Sequence, residues 1–251
     1  MSSRRSTALA SLAGMALVLP LAACGGDDGE QRTITVLAAA SLTETFTTLA
    51  SDFEAAHEGV RVRLAFDSSA TLAEQAVGGA PADVLATADT TTMDSATDAL
   101  AADPQVFATN TMVLVVPADN PAGIRSFDDL GPGVDYVVCV DTAPCGKVAA
   151  ALLSSADPGA EPASLEVDVK AVLAKVTSGE ADAGLVYASD AVAAGDAVTT
   201  VEVPGADAQV TTYPIAPLDQ SQDAELARQF VDLVLDEEGQ QVLQDAGFGA
   251  P

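Results

Sequence analysis

The sequence predicts an α/β fold with largely parallel sheets. Short β-prone runs alternate with helix-like stretches from Thr33 almost to the C-terminus, an alternation typical of strand–helix–strand units. Apolar residues make up 49% of the 251 residues, which is enough to form a large core. This length allows one large domain or two lobes of ordinary size.

The N-terminal residues have the pattern of a targeting signal. Arg4 and Arg5 precede an apolar stretch at residues 8–21, which is too short to span a bilayer, where about 20 residues are needed. The stretch ends in Leu-Ala-Ala-Cys24, which resembles a lipoprotein processing site whose cysteine is lipidated. We predict a lipoprotein signal peptide at 1–23, a lipid anchor on Cys24 and a flexible leash at 24–31. An ordinary signal peptide cut nearby is the alternative.

The chain is strongly acidic, with 10 basic and 37 acidic residues and a formal net charge of -27. Loss of residues 1–23 removes two arginines and leaves 8 basic against 37 acidic residues, a net charge of -29. Such a surface repels nucleic acid and anionic membranes, so we predict no nucleic-acid partner. The acid excess is otherwise that of a solvated surface.

Motifs of common enzyme classes are missing from the sequence. No serine stands in a Gly-x-Ser-x-Gly elbow, and no Gly-x-x-x-x-Gly-Lys-Ser/Thr phosphate loop occurs. The single histidine, His57, stands beside Glu58 at a predicted helix end, where it complements the helix dipole. We therefore predict that the protein is not an enzyme and uses no cofactor.

Two further cysteines, Cys139 and Cys145, lie close together in the sequence. Outside the cytoplasm such a pair can oxidise. Spacing alone does not bring their Cα atoms within the ~4.4–6.8 Å that a disulfide requires. The sequence is therefore compatible with a disulfide and with two free buried thiols.

The first helix has the clearest pattern. Residues 33–38 form a β-prone run, and Ser41 then opens a helix with Glu44 at the spacing of a capping box. Phe46, Leu49 and Phe53 recur on one helical face. The sequence His-Glu-Gly at 57–59 predicts the end of this helix.

The same rhythm predicts the remaining elements. Strands are expected at 60–66, 82–86, 112–116, 134–140 and 183–187, and a further strand is expected near Tyr213. Helices are expected from Ser68-Ser69 to Gly78, and at 92–101, 146–155, 169–176 and 221–235.

Three places combine a strand end with a small or hydroxyl residue and a helix start. They contain Ser41, Ser69 and Cys145. The start of a helix presents unpaired N–H groups and a partial positive charge, so it can hold an anion without Lys or Arg. A serine there can accept a hydrogen bond from its own helix and still donate its proton to a ligand. Taken singly, each serine is by default only a helix cap.

The order of several short motifs changes this interpretation. Together they resemble the molybdate-binding proteins of ABC transporters, over about residues 32–249. The matching segments are AAASL at 38–42, SSATL at 68–72, GAPADV at 79–84, AD at 88–89 with MD at 93–94, PCG at 144–146, DVK at 168–170, GLVYASDA at 184–191, YPI at 213–215 and AGF at 246–248.

The resemblance implies a set of ligand contacts. Ser41, Ser69 and Tyr187 correspond to the hydroxyl donors of the family, and Cys145 and Val169 correspond to its backbone N–H donors. A small residue such as Ala is common in the family where Cys145 stands, which leaves the role of the cysteine open. Acidic residues at family positions, such as Asp190, would repel an anion, so we interpret them as caps or hinge supports.

The resemblance also implies the fold and the function. The expected fold is the two-lobed periplasmic-binding-protein fold of type II, with lobe 1 at 32–112 and 215–251 and lobe 2 at 113–214. The expected function is to capture molybdate or tungstate outside the cytoplasm and deliver it to the permease and ATPase of an ABC importer, as a membrane-anchored monomer. A receptor for sulfate, thiosulfate or another small oxyanion on the same fold is the alternative.

Overall fold

The computed structural model of the protein describes residues 31–156 and 158–251. The predicted signal peptide, the lipidation site at Cys24 and residues 24–30 of the leash lie outside the described residues. Among the described residues, no helix is long and apolar enough to cross a membrane.

Ten strands and eight α-helices form the described part of the chain. The strands are β1 (Arg32–Ala39), β2 (Val60–Asp67), β3 (Val84–Ala86), β4 (Gln105–Asn110), β5 (Met112–Pro117), β6 (Tyr136–Cys139), β7 (Ser164–Glu166), β8 (Ala183–Tyr187), β9 (Val198–Val201) and β10 (Thr211–Pro217). The helices are α1 (Thr43–Ala56), α2 (Ser69–Val77), α3 (Thr90–Ser95), α4 (Pro144–Ala156), α5 (Val169–Thr177), α6 (Ala188–Ala194), α7 (Ala224–Leu235) and α8 (Glu237–Asp245).

The strands form two five-stranded sheets with the same pattern. The first has the order β2-β1-β3-β10-β4 and the second β7-β6-β8-β5-β9. Helices α1, α2, α3, α7 and α8 pack on the first sheet, and α4, α5 and α6 pack on the second. The predicted α/β fold with two lobes is confirmed.

Each sheet contains one reversed strand. Four strands of each sheet point the same way, but β10 in the first sheet and β5 in the second pair antiparallel with both neighbours. The sheets are therefore mostly parallel by strand direction, as predicted, although two of the four pairings in each are antiparallel. The reversed strand is in each case the one that enters from the other lobe.

The chain crosses between the sheets twice. It passes directly from β4 to β5 through Thr111, and it returns between β9 and β10. Met112 pairs with Tyr187 in the second sheet, and Thr211 pairs with Asn110 in the first. By sheet membership, Met112 therefore goes with the second lobe and residues 211–214 with the first, since strand pairing places them there.

The core of the first lobe is built around the face predicted for α1. Phe46 and Phe53 are buried and contact Phe230 of α7 with ring centroids 5.9 Å and 5.5 Å away. Phe46 also contacts Phe107 of β4 at 5.8 Å. Each such buried side chain contributes about 1.5–3 kcal/mol through the hydrophobic effect, which fixes α1 against the sheet.

Two helices begin at other residues than predicted because side chains cap their first turns. The helix expected at 92–101 corresponds to the short α3, Thr90–Ser95. It begins directly after Asp89, because the Asp89 carboxylate accepts the Thr92 N–H at 2.7 Å. Helix α7 begins at Ala224 because Asp223 accepts the Leu226 N–H at 3.2 Å.

Candidate functional site

A small cavity of about 20 Å³ lies between the lobes, at the point where several helices begin. The first lobe contributes Ala39, Ala40, Ser41, Asp67, Ser68, Ser69 and Ala88, and the second contributes Ala143, Pro144, Cys145, Asp168, Val169 and Tyr187. All five residues predicted as ligand contacts line this cavity. None of its lining residues is Lys, Arg or His.

A larger groove of about 550 Å³ lies elsewhere, beside Tyr136 and Pro158 on the second lobe. It contains none of the five predicted contacts. We place the site in the smaller cavity because there the two lobes meet and the helix starts converge.

Three α-helices begin at the cavity. Ser69, Cys145 and Val169 lie at the first or second position of α2, α4 and α5. First-turn N–H groups have no acceptor within their own helix, and each helix start carries roughly half an elementary positive charge. Backbone N–H groups from both lobes are therefore available to an anion.

The serine hydroxyls do not have the role that local sequence predicts. Ser41 lies in a 3-10 turn (Ala40–Leu42) before α1, and its Oγ lies 3.0 Å from Tyr213 Oη. Neither Ser41 nor Ser68 makes a side-chain cap, so the predicted capping box between Ser41 and Glu44 is wrong. The physical reason is that Ser41 bonds a tyrosine of β10 instead of its own helix.

Ser69 keeps a proton free for a ligand. Its Oγ accepts the backbone N–H of Ala88 at 2.9 Å. A hydroxyl that accepts in this way can still donate its own hydrogen. In the same way, Ser41 can donate to a ligand when Tyr213 donates to Ser41.

Tyr187 is the most unusual residue of the site. Its side chain is 1% exposed, and its Oη has no hydrogen-bond partner within residues 31–156 and 158–251. A buried polar group without a partner costs about 1–3 kcal/mol. Burial, followed by the proximity of Tyr213 and Asp190, raises the pKa of Tyr187 well above its usual 10.0, so the phenol stays protonated and can donate.

Asp190 forms a hydrogen bond with the backbone of Tyr187. Its Oδ2 accepts the Tyr187 N–H at 3.2 Å, and its Oδ1 lies 3.1 Å from Lys170 Nζ. Burial raises the pKa of Asp190 to about 6, although the Lys170 charge opposes the shift. Asp190 does not line the cavity.

Cys139 and Cys145 form a disulfide, with their Cα atoms 5.8 Å apart. It joins the end of β6 to the first turn of α4, so Cys145 offers the cavity its backbone N–H and no thiol. Gly146 follows directly, and a Cβ at this position would collide with Val140 O. The turn that carries the Cys145 N–H is thus closely packed against the end of β6.

The two acids of the lining are already hydrogen-bonded. Asp67 Oδ1 accepts the Ser68 N–H at 2.6 Å, and Asp168 Oδ1 caps α5 by accepting the Ala171 N–H at 2.8 Å. Within the described residues, no group of three or more His, Cys, Asp or Glu could hold a metal cation. The hydroxyls and helix-start N–H groups of the lining are neutral hydrogen-bond donors, and such donors favour a small anion.

Sequence reasoning missed the supports of the hydroxyls. Ala88 holds Ser69, and Tyr213 holds Ser41. Ala88 and Tyr213 both lie in segments that match the molybdate-binding proteins, and this match marked them as residues of interest. Nothing in the sequence indicated which side chains they contact.

Comparison with known proteins places the chain. The model of the family described as bacterial extracellular solute-binding protein matches residues 34–249. The chain belongs to this family. Its relatives among the solute-binding proteins include the molybdate-binding protein ModA of Mycobacterium tuberculosis H37Rv, which is 44% identical over 94% of this chain and 95% of the relative. ModA of Escherichia coli K12 is 32% identical over 92% of this chain and 94% of the relative.

Solved structures of solute-binding proteins share the fold. The substrate-binding domain of a putative molybdenum ABC transporter from Clostridium difficile has a TM-score of 0.66 and 27% identity, covering 87% of this chain and 99% of that one. The periplasmic molybdate-binding protein of Azotobacter vinelandii has a TM-score of 0.73 and 19% identity, with the same coverage. The predicted resemblance is confirmed, and the family is one of binding proteins, not enzymes.

Proposed function

We propose that this protein captures molybdate or tungstate in the cavity between its lobes and delivers it to an ABC importer. The observation that carries the proposal is the buried Tyr187 phenol, which has no partner among the described residues and lies in a cavity at the starts of three α-helices. The relatives named molybdate-binding proteins support the choice of ligand.

Five residues supply the donors in this proposal. Ser41, Ser69 and Tyr187 donate from their hydroxyls, and Cys145 and Val169 donate from their backbone N–H groups. A fully ionised dianion has acceptor oxygens and no proton, so neutral donors satisfy each of its oxygens. A protonated phosphate would turn its own O–H toward other donors, at a cost of about 1–3 kcal/mol for the unpaired group.

Sulfate is also a dianion, so its exclusion has to come from the size of the cavity. The bound oxyanion is cargo for transport and not a cofactor.

The site is tested by isothermal calorimetry with molybdate, tungstate, sulfate and phosphate. We expect saturable binding of molybdate and tungstate, weaker binding of sulfate and no measurable binding of phosphate. Ser69→Ala should weaken molybdate binding by about 1.5–3 kcal/mol, as for a hydrogen bond to a charged group. Tighter binding of sulfate or phosphate than of molybdate would contradict the proposal.

The membrane attachment is a separate part of the proposal. As a solute-binding protein, the chain works outside the cytoplasm with the permease and ATPase of an ABC importer. We propose that it does so as a monomer held by lipid on Cys24. Stable anchoring needs more than one acyl chain, because a single chain binds only marginally.

Replacement of the anchoring cysteine tests the attachment. Cys24→Ser should release the protein into the soluble extracytoplasmic fraction, as measured by fractionation and immunoblotting. A variant that remains in the membrane fraction would rule out lipid on Cys24 as the anchor.

A further inference from the structure

Two ion pairs join the lobes. Among the described residues there are seven ion pairs, and five of them lie within a single lobe. The other two cross the cleft: Lys147 Nζ lies 2.8 Å from Asp89 Oδ2, and Lys170 Nζ lies 2.7 Å from Glu44 Oε2. We call these two the latch pairs.

The lysines of the latch pairs follow the backbone donors of the second lobe. Lys147 is two residues after Cys145 in α4, and Lys170 is directly after Val169 in α5. The helix turns that face the cavity therefore also carry the cations that reach the first lobe.

The acidic partners are equally close to the hydroxyl donors of the first lobe. Asp89 follows Ala88, whose N–H holds Ser69 Oγ, and its other oxygen caps α3. Glu44 is three residues after Ser41. A latch pair thus connects the Ser69 side of the cavity with Cys145, and the other connects the Ser41 side with Val169.

Lys170 has a second partner within its own lobe. Its Nζ also lies 3.1 Å from Asp190 Oδ1, and Asp190 accepts the N–H of Tyr187. Burial alone would lower the pKa of Lys170, but the charges of Asp190 and Glu44 outweigh it and raise this pKa, so Lys170 stays charged. Lys170 therefore links Glu44 of the first lobe to Asp190, the residue that accepts the Tyr187 N–H.

We propose that Lys147 and Lys170 are positioning residues that hold the two lobes closed around the bound oxyanion through Asp89 and Glu44. Neither lysine lines the cavity, so we assign neither a contact with the ligand. The inference rests on the proposed function. A pair made only in the closed form raises the fraction of molecules that can hold the ligand, and the apparent affinity rises with that fraction.

Loss of a latch pair should have a modest effect, mainly on the dissociation rate of molybdate. Lys147 is 41% exposed, and exposed ion pairs change an equilibrium by only a few-fold. Loss of one latch pair should raise the dissociation rate of molybdate about two- to five-fold, since changes within one binding site act mostly on dissociation.

The test uses the full mature protein with Lys147→Gln or Glu44→Gln. Lys170 is left in place, because its loss would leave the buried Asp190 carboxylate without its cation. Lys175→Gln and Glu225→Gln are matched controls: they remove the same charges from ion pairs within one lobe. Stopped-flow gives the dissociation rate of molybdate, calorimetry its dissociation constant, and thermal melting the stability without ligand.

We expect faster dissociation in Lys147→Gln and Glu44→Gln than in their controls, with melting temperatures like those of the controls. Asp89→Asn keeps the cap of α3, because Asn is also a good N-cap, and should release molybdate as fast as Lys147→Gln does. The Lys147→Gln/Asp89→Asn double variant should be no worse than either single variant.

Two results would overturn the inference in distinguishable ways. If the parent binds molybdate and the latch variants dissociate no faster than their controls, the latch pairs alone are refuted. If the parent itself does not bind molybdate, the proposed function falls and the latch falls with it.

Discussion

Tyr187 and Tyr136 are buried tyrosines with opposite hydrogen bonding. Tyr136 Oη donates to Ala160 O at 2.6 Å, whereas Tyr187 Oη has no partner among the described residues. Tyr187→Phe should weaken molybdate binding by about 1.5–3 kcal/mol and should not lower the free energy of unfolding, because the buried hydroxyl that it removes has no partner among the described residues. Tyr136→Phe should lower the free energy of unfolding by about 1 kcal/mol and leave binding unchanged.

Calorimetry and urea unfolding measure the two effects. A Tyr187→Phe variant that binds molybdate as tightly as the parent would remove Tyr187 from the site.

Asp190 gives the protein a defined pH dependence. Its pKa is raised from 3.8 to about 6 by burial, with Lys170 opposing the shift, so the folded protein holds this proton more tightly than the unfolded chain. The contribution of Asp190 to the free energy of unfolding therefore falls as the pH rises from about 4 to about 6. Above that range the carboxylate is ionised and pairs with Lys170.

Asp190→Asn should remove this slope. The free energy of unfolding of parent and variant, measured in urea at several pH values between about 4 and 7, gives the difference profile. Because the other carboxyl groups are common to both proteins, their titration largely cancels in that difference. A difference that does not change with pH would show that Asp190 does not titrate in this window.

Ser41 shows how much of a single residue's role can be predicted from the sequence. Its spacing from Glu44 predicted a capping box, but Ser41 bonds Tyr213 and Glu44 pairs with Lys170. Those partners lie 172 and 126 residues away along the chain, where no local pattern can identify them. The five predicted contact residues do line one cavity, since they came from motifs spread over the whole fold and not from local spacing.

At the scale of elements, the disulfide holds the first turn of α4. It joins cysteines six positions apart, so its effect on the unfolded chain should be below the ~3 kcal/mol expected for a 15-residue loop. Its larger effect should be to keep the Cys145 N–H directed at the ligand. Reduction should therefore weaken molybdate binding several-fold while changing the melting temperature little.

The control is the Cys139→Ser/Cys145→Ser double variant, whose affinity should not respond to reductant. Thiol titration of the unfolded, unreduced protein that finds both cysteines free would contradict the prediction.

Elements with strong local patterns were predicted well. The apolar faces of α1 and α7 and the strand β8 (Ala183–Tyr187) match the expectations closely. The strands β4, β7 and β9 were missed, because they are short or lie at sheet edges and so lack a strong apolar pattern. The reversal of β5 and β10 was also not predicted, since strand direction depends on which lobe the chain is leaving.

At the scale of the whole molecule, an acidic protein has to bind a dianion. With the predicted signal peptide removed, the net charge is -29. Lys147 and Lys170, which follow the cavity residues Cys145 and Val169 in the sequence, are paired with acidic side chains. The approaching oxyanion therefore meets a repulsive field that salt screens, whereas the short-range donors are buried and little screened. The association rate of molybdate should rise with sodium chloride, and the dissociation rate should change less.

Stopped-flow fluorescence can follow the reaction through the three tyrosines, because the chain has no tryptophan. The effect should be largest between about 0.01 M and 0.15 M salt, where the Debye length falls from ~30 Å to ~8 Å. An association rate that falls steeply with salt would mean that cations attract the ligand.

The two crossings between the sheets also set the order in which a growing chain can complete its lobes. All five strands of the second sheet lie between Met112 and Val201, so that sheet is fully synthesised before β10 begins. In the first sheet, β4 has β10 as its only neighbour, and one edge of β3 is open until β10 arrives. Open edges of this kind can pair with other chains. The lobe that begins the chain is therefore the last one that can be completed, and until then its unpaired strands are the ones exposed to aggregation.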